Sequence, residues 1–272
     1  MIVFPNCKIN LGLNVLRKRE DGFHDIETCF FPIQLKDALE IVPANTATQL
    51  ITTGLYAGND TDNLCVKAYE LLKKDFTKIT EVSMHLHKII PAGAGLGGGS
   101  ADAAFTLQSI NKIFNLDISF QQISGYALQL GSDCPFFLIN KPCMATGRGE
   151  LLQEVSISLK DCHVALVNPG IHISTGMAFR NIVPFIPQRN IQQIITQPIE
   201  TWKDDLKNDF EKYVFERYPA VEKIKEDLYQ SGALYASLSG SGSTVFGIFN
   251  KKTNINYRPL PEYYFKVVDP VE

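Results

Sequence analysis

Residues 91–104 read Pro-Ala-Gly-Ala-Gly-Leu-Gly-Gly-Gly-Ser-Ala-Asp-Ala-Ala, and five of the seven positions from Gly93 to Gly99 are glycine. Residues 91–99, called here the glycine-rich segment, lie between a strand-like stretch and a helix-like stretch. Glycine at this density lets the backbone adopt positive φ and approach a ligand closely, while the next helix directs its N–H groups and positive dipole end at the loop. The pattern predicts a phosphate cradle. The alternative is a flexible turn with Ser100 as an ordinary N-cap.

The chain around this segment alternates short strands with helices, an α+β plan. Val82, Met84 and Leu86 alternate with polar residues, so 82–90 is predicted to be a half-buried strand, with His85 and His87 on an exposed face rather than at a metal. Other strands are predicted at 8–15, 38–42, 162–167, 244–249 and 263–268. Helices are predicted at 64–74, 101–114, 120–130, 202–218 and 220–231; Ser119 and Gln122 indicate a capping box for the third of these.

Composition excludes several classes of protein. The 272 residues are 45% apolar and 20% charged, which predicts a globular chain with a real core, and no apolar run approaches the ~20 residues of a membrane span. The balance of 26 basic and 29 acidic residues, without a basic block, argues against nucleic-acid binding. The sequence shows neither a signal peptide nor a lipidation box, so cytoplasmic residence is expected. The six cysteines are dispersed without a CxxC pair, and we expect reduced thiols, mostly in the core.

Three familiar nucleotide motifs compete for the glycine-rich segment. A Walker A loop needs a lysine before its final hydroxyl residue, and Gly99-Ser100 has none. The spacing of Gly93, Gly95 and Gly98 satisfies GxGxxG literally, but the acidic residue that should end a following strand is missing, because the next residues have helical character. The HRD and DFG elements of protein kinases are absent.

Several segments together resemble the GHMP kinases, which include galactokinase and the homoserine and mevalonate kinases. The glycine-rich segment resembles their phosphate-binding motif. Four further segments narrow the resemblance to the 4-diphosphocytidyl-2-C-methyl-D-erythritol kinases within that family: PNCKINLGL at 5–13, DGFH at 21–24, GSDCPFF at 131–137 and SGSGS at 239–243. These matches run from residue 5 to about residue 249 in the order of the family.

The resemblance implies a fold and an activity. The fold would be α+β and two-lobed, with an N-terminal lobe like the second domain of a small-subunit ribosomal protein, an α/β C-terminal lobe and the active site in the cleft between them. The N-terminal ATP-binding domain would comprise residues 1–158 and the C-terminal domain residues 159–272. The activity would be ATP-dependent phosphorylation of an alcohol on a cytidine diphosphate-linked polyol, with Mg²⁺ implied by the chemistry. We expect small-molecule partners, neither nucleic acid nor membrane, and a monomer or homodimer.

Lys8 and Asp133 are the predicted catalytic residues. Asp133 is expected between a helix and an apolar run, where a carboxylate either caps or reacts. Lys8 lies in an otherwise apolar strand, so its ammonium must reach a surface or meet a negative partner. The resemblance implies that Asp133 is the general base and that Lys8 faces it, holds the acceptor hydroxyl and stabilises charge on the transferred phosphoryl group.

The resemblance also implies two sets of binding residues. Phe23, in place of the usual tyrosine, would stack on cytosine and His24 would bind the edge of the base, although the pair could simply belong to a hairpin with an inward aromatic. The expected substrate-binding residues are Asn10, Phe23, His24, Thr175, Phe179, Gly240 and Ser241. The expected ATP-binding residues are Asn63 and Lys88 near the nucleotide base, then Pro91, Gly93, Gly95, Leu96, Gly97, Gly98, Gly99 and Ser100.

Three other functions stay open at this level. Another small-molecule GHMP kinase, of the homoserine or mevalonate type, would share the glycine-rich segment but need no cytosine site. A non-catalytic relative would bind nucleotide without turnover. A dinucleotide-dependent dehydrogenase, suggested by GxGxxG alone, would bind NAD and form no ADP.

Overall fold

The computed structural model describes residues 1–56 and 62–271. These residues pack into two compact units. Unit 1 is drawn from Met1–Cys7, Leu35–Ala92 and Gly97–Asn140, and unit 2 from Lys8–Gln34, Gly93–Leu96 and Lys141–Glu272. Each unit therefore combines segments that are distant in sequence. The division into contiguous domains near residue 158 stays a prediction.

The secondary-structure elements alternate along the chain as the α+β plan requires. The strands are β1 Ile2–Val3, β2 Asn6–Lys18, β3 His24–Lys36, β4 Ala38–Pro43, β5 Gln49–Gly54, β6 Val82–Lys88, β7 Cys143–Thr146, β8 Leu151–Glu154, β9 Cys162–Asn168, β10 Tyr235–Leu238, β11 Val245–Asn250 and β12 Tyr264–Val268. The helices are α1 Leu64–Asp75, α2 Gly98–Ile113, α3 Phe120–Leu130, α4 Cys134–Ile139, α5 Thr175–Arg180, α6 Ile191–Ile195, α7 Trp202–Asp205, α8 Phe210–Arg217 and α9 Pro219–Gln230.

Unit 1 contains a four-stranded sheet in the order β1-β4-β6-β5, in which β4 is antiparallel and β5 parallel to β6. The alternation predicted for β6 is confirmed, because Val82, Met84 and Leu86 are fully buried while the two histidines are exposed. The hydroxyl of Thr53 lies 3.0 Å from a ring nitrogen of each histidine. The expected exposed strand face is therefore present.

The starts of two helices in unit 1, α2 and α3, can be compared with the sequence prediction. Ser119 Oγ accepts from the Gln122 amide at 3.3 Å and Gln122 Oε1 accepts from the Ser119 amide at 3.0 Å, which confirms the capping box of α3. On α2 the predicted apolar face is buried at Ala103, Leu107 and Ile110. Helix α2 nevertheless begins three residues before the predicted start, at Gly98, and this shift moves the glycines into the helix itself.

Unit 2 holds a second four-stranded sheet, in the order β10-β11-β9-β12, with every neighbouring pair antiparallel. Helices α8 and α9 contribute Val214, Ile224 and Leu228 to a core that also contains Val167 from β9 and Phe249 from β11. Each such side chain contributes about 1.5–3 kcal/mol when it leaves water. A third sheet has the order β2-β3-β7-β8.

The single helix predicted over 202–218 is wrong. The chain forms two short helices, α7 and α8, separated by 206–209. The Leu13 amide donates to Lys207 O at 2.8 Å and the Asp209 amide donates to Leu13 O at 2.8 Å, so this segment is held against β2. Asn208 Nδ2 also donates to Leu238 O at 2.8 Å and to Gly240 O at 2.9 Å. These long-range hydrogen bonds outweigh the helical periodicity.

Two further features concern the thiols and the length of the helices. The six cysteines all lie in the described part of the chain, where each is buried and none forms a disulfide; the expectation of reduced thiols in the core is confirmed. Among the residues that the structure describes, no helix is both long enough and apolar enough to cross a membrane.

Candidate active site

The glycine-rich segment turns into helix α2 at Gly97. Gly97 is the N-cap, with φ 71° and ψ 14° in the left-handed region that glycine tolerates. Glycine has no side-chain oxygen that could accept hydrogen bonds from the first-turn amides of Gly98, Gly99 and Ser100. These amides also have no acceptor within the helix, because the first amides of any helix lack one. Ser100 lies inside the first turn, so the N-cap alternative for this residue is wrong. Such first-turn amides suit an anion, and the phosphate cradle stays a prediction.

At position 95, in the part of the glycine-rich segment that belongs to unit 2, only glycine fits. A Cβ atom on Gly95 would lie 1.9 Å from the carbonyl oxygen of Ser239, and φ is +80°. The Ser239 hydroxyl donates to Gly95 O at 2.9 Å, and the Thr244 amide donates to Ala94 O at 3.2 Å. The two glycine-rich stretches of the sequence, around Gly95 and around Gly240, therefore pack directly against each other.

Lys8 and Asn10 lie on the same face of β2, as expected from their spacing. Lys8 is 3% exposed, and its ammonium donates to Asn10 Oδ1 at 2.6 Å and to Gly95 O at 3.1 Å. Asn10 Nδ2 donates to Thr28 Oγ1 at 3.0 Å, and a Cβ on Gly240 would lie 3.5 Å from Asn10 Oδ1. The ammonium is thus fixed beside the backbone of the glycine-rich segment.

Asp133 lies in unit 1 at the N-cap position of α4. It is half-buried, with φ −81° and ψ −16°, and its side chain makes no capping hydrogen bond. The capping alternative is therefore wrong, and the role of Asp133 as general base stays a prediction. Its contact with Lys8 stays a prediction.

Four of the predicted substrate residues line one cavity of unit 2. The cavity has a volume of about 620 Å³, and Phe23, His24, Thr175 and Phe179 are among the residues that line it. The rings of His24 and Phe179 stack with centroids 5.0 Å apart and an interplanar angle of 16°. Ser241 Oγ lies 2.9 Å from Thr175 Oγ1. The structure therefore brings together segments that the sequence analysis selected separately.

Phe23 is half exposed, so it is not a core aromatic. Its relative exposure is 51%, and the guanidinium of Arg148 lies 4.7 Å from the ring centroid. Arg148 Nε lies 3.7 Å from a carboxylate oxygen of Glu150. Sequence analysis missed Arg148, although the glycines on either side of it, at 147 and 149, indicate a turn. A cation over an aromatic face orients the ring.

The surroundings of His24 favour its neutral form. Burial lowers the pKa of His24, and the positive charge of Lys18 lowers it further. A neutral imidazole offers one donor and one acceptor to a ligand. Lys18, Arg148 and Arg180 add positive charge to the cavity wall, so the cavity combines aromatic faces with cations.

Two predicted ATP residues have structural partners instead. Asn63 Oδ1 accepts from the Cys65 amide at 2.9 Å and caps helix α1. Lys88 is 3% exposed, and its ammonium donates to the carboxyl groups of Asp37 and Asp102. This geometry gives no support to a contact with the nucleotide base, and that contact stays a prediction. Sequence analysis missed both partners of Lys88. Asp102 lies in the stretch 91–104 but was assigned no function, and no motif around Asp37 indicates one.

Sequence profiles of one family match both halves of the chain. The profile described as "GHMP kinases N terminal domain" matches residues 63–141, and "GHMP kinases C terminal" matches residues 190–256. A 4-diphosphocytidyl-2-C-methyl-D-erythritol kinase of Azobacteroides pseudotrichonymphae is 49% identical over 269 residues, which cover 98% of each chain. That of Bacteroides fragilis is 49% identical over 259 residues, which cover 94% of each chain.

Solved structures agree with this result. The crystal structure of a 4-(cytidine 5'-diphospho)-2C-methyl-D-erythritol kinase has a TM-score of 0.78 and 31% identity, covering 91% of this chain and 90% of its own. The mevalonate kinase of Methanococcus jannaschii has a TM-score of 0.70 at 12% identity, which shows a shared fold alone. The expected α+β GHMP kinase fold is confirmed. The chain therefore belongs to the GHMP kinase family and, within it, to the 4-diphosphocytidyl-2-C-methyl-D-erythritol kinases.

Proposed function

We propose that the protein transfers the terminal phosphoryl group of ATP to the hydroxyl on carbon 2 of 4-diphosphocytidyl-2-C-methyl-D-erythritol. The products are the 2-phosphate and ADP, and the reaction belongs to the methylerythritol phosphate route to isoprenoids. The observation that carries the substrate assignment is the cavity of unit 2, in which an exposed aromatic, a neutral histidine and several cations surround about 620 Å³. A planar base attached to a diphosphate fits this chemistry.

Cytosine recognition would use the ring faces and the histidine of the cavity. Stacking of a base on an aromatic side chain is worth about 1–3 kcal/mol. Phe23 offers that face, and neutral His24 can both donate to and accept from the polar edge of the base. The cations Lys18 and Arg180 suit the negative charge of a diphosphate.

ATP would bind through main-chain groups of the glycine-rich segment. The amides of the first turn of α2 would donate hydrogen bonds to the phosphate oxygens, and the positive end of the helix dipole favours the negative charge of the phosphates. Gly95 and Gly97 adopt positive φ, which brings the backbone rather than side chains towards the ligand. The ammonium of Lys8, held 3.1 Å from Gly95 O, supplies positive charge beside this backbone.

In the chemical step, Asp133 takes the proton of the acceptor hydroxyl. The hydroxyl oxygen then forms its bond to the terminal phosphorus, and the bond between that phosphorus and the bridging oxygen of ADP breaks. Lys8 stabilises the negative charge that develops on the transferred group. Positioning and charge stabilisation account for most of the catalysis of such transfers.

Mg²⁺ accompanies ATP in this proposal without a cage of protein ligands. Among the described residues, no group of three or more His, Cys, Asp or Glu side chains could hold a metal ion, so a protein-built site does not fit. Mg²⁺ commonly keeps several waters and binds through substrate phosphates.

The assay that tests the proposal follows ADP release with a panel of alcohols. We expect turnover with the cytidylyl methylerythritol substrate and competitive inhibition by CMP. Turnover with homoserine or mevalonate, unaffected by CMP, would instead support another GHMP kinase. ATP binding without turnover of any alcohol would indicate a non-catalytic relative, and NAD binding without ADP formation a dehydrogenase. The cytoplasmic location and the oligomeric state, monomer or homodimer, stay predictions.

A further inference from the structure

Three buried charged side chains that the proposed mechanism does not use lie together in unit 1. The exposed fractions of Asp37, Lys88 and Asp102 are 0%, 3% and 2%. The Lys88 ammonium donates to Asp102 Oδ2 at 2.7 Å and also to a carboxyl oxygen of Asp37. A buried charge costs several kcal/mol unless it is paired, so these three residues, the ionic cluster, depend on each other.

The ionic cluster holds the chain where the glycine-rich segment begins. Asp37 Oδ1 accepts from the amides of Ile89 at 2.5 Å and Ile90 at 2.9 Å, the two residues just before the segment. One carboxyl group therefore fixes two consecutive amides and the ammonium. This arrangement sets the direction in which the chain enters the segment.

The same cluster holds the chain where the segment becomes a helix. Asp102 lies in the second turn of α2, and its carboxyl group binds Lys88. A Cβ on Gly98 would lie 3.4 Å from Lys88 Nζ and 2.8 Å from Ile90 Cγ2, so the ammonium packs against the first residue of α2. Both ends of the glycine-rich segment are thus tied to a single ammonium.

Burial shifts the pKa values of two members of the ionic cluster. Burial raises the pKa of Asp102 to about 7, with Asp37 acting in the same direction and Lys88 in the opposite one. Burial lowers the pKa of Lys88, but the two carboxyl groups outweigh it and the net shift is upward. Cys65 on α1 faces the same group, and burial raises its thiol pKa, so it stays neutral. Among the described residues, Asp102 Oδ1 has no hydrogen-bond partner.

We propose that Asp37, Lys88 and Asp102 are positioning residues that hold the glycine-rich segment in its phosphate-binding geometry, so that the charge of this buried cluster controls the affinity of the segment for ATP. The inference rests on the proposed function only in requiring that ATP binds this segment. It does not depend on the identity of the alcohol.

The sign of the effect follows from charge. Deprotonation of Asp102 leaves two carboxylates against one ammonium, which adds negative charge beneath the turn that receives phosphates. Bound ATP therefore favours the protonated carboxyl, and by linkage the pKa of Asp102 rises in the complex. Affinity for ATP falls as the pH rises through this titration.

The test measures the Kd of a nonhydrolysable ATP analogue with Mg²⁺ from about pH 5.5 to 8.5. Asp102→Asn keeps the shape of the side chain and removes the titration, so its affinity should resemble that of the low-pH wild type. Relative to this variant, wild-type affinity should fall about fivefold to thirtyfold across the range, the equivalent of ~1–2 kcal/mol. Ionisation of the analogue itself is common to all variants.

The variant Asp37→Asn provides a second test, which concerns the midpoint of the pH dependence. Removing this negative neighbour lowers the pKa of Asp102, so the pH dependence should move to lower pH rather than disappear. A purely structural role for Asp37 would weaken binding without moving the midpoint. Asp117→Asn is the matched control, because Asp117 is exposed in unit 1 and its φ of 56° suits asparagine. Its pH profile should match that of the wild type.

A wild-type measurement covers the case in which a variant fails to fold. With ¹³C-labelled aspartate carboxyls, one resonance should titrate above about pH 6, and its midpoint should rise when the analogue binds. Absence of such a resonance, or a pH profile of folded Asp102→Asn equal to that of the wild type, overturns the inference. If the wild type binds the analogue with the expected profile but does not phosphorylate the cytidylyl substrate, the proposed function fails alone.

Discussion

The ionic cluster of unit 1 and the cavity of unit 2 differ in the exposure of their side chains. Around Lys88 the side chains are almost fully buried and paired with each other, so they act by holding backbone in place. In the cavity, Phe23 is 51% exposed and offers its own ring to a ligand. Under the two proposals, phosphate binding would depend on main-chain position, whereas base binding would depend on side-chain identity. Substitutions should therefore separate the two.

The largest effect expected is on chemistry rather than on either region. Asp133→Asn should lower kcat by about 10²–10⁴-fold, the range for loss of a general base. Binding of the ATP analogue and of the cytidylyl substrate should stay nearly unchanged, because neither region uses this carboxylate. Steady-state kinetics and calorimetry provide the two measurements, with Asp117→Asn as control. Unchanged turnover would reject Asp133 as the base.

Gly98→Ala should damage the phosphate side selectively. The added Cβ would lie 2.8 Å from Ile90 Cγ2, and overpacking of this kind costs about 1–3 kcal/mol of stability. The KM for ATP should rise while that for the cytidylyl substrate does not. Gly125→Ala is the control: it lies in α3 with nothing within 4 Å of the new atom, and it should stabilise the protein by about 0.5–1 kcal/mol. Equal changes in the KM values for ATP and for the cytidylyl substrate would show that Gly98 does not act on the phosphate side alone.

Phe23→Ala should damage the cytidine side selectively. Loss of a stacking face worth about 1–3 kcal/mol predicts a rise of roughly 5- to 150-fold in the KM for the cytidylyl substrate. The KM for ATP and the melting temperature should change little, since the ring is half exposed. Phe23→Tyr should retain the low KM. A large loss of thermal stability would assign Phe23 to packing instead.

Arg148→Ala tests the smallest effect in the series. A partly exposed cation over a ring contributes about 0.5–1 kcal/mol, which predicts a two- to fivefold rise in the KM for the cytidylyl substrate. The expected cause is a less ordered Phe23 ring, so in a Phe23→Ala background the substitution should have almost no further effect. Arg148→Lys retains the charge and should recover part of the loss. Additive effects in the double variant would place Arg148 on the substrate itself.

The sequence pattern was sufficient to predict those elements whose structure depends on residues close together in the chain. The strict alternation of β6 and the capping box of α3 were both readable, because each depends on residues a few positions apart. Strand β3 was missed, since Cys29–Ile33 is a continuous buried run that contains Pro32 and shows no alternation. The break before α8 was missed because its hydrogen bonds go to β2 and to the turn at Gly240.

By itself, the sequence indicated the family, because the glycine-rich segment and four further motifs are each carried by residue types at short spacing and follow one another in the order of the family. The resemblance, rather than spacing, implied the candidate catalytic and cytosine-binding residues. Tertiary structure alone decided that Lys88 meets Asp37, 51 residues away, and that Arg148 covers the ring of Phe23. Pairing of buried charges and stacking of a cation on a ring depend on distances in space, which no spacing along the chain encodes. The physical reason is that burial and partners, rather than residue type, set the cost and the role of a charge.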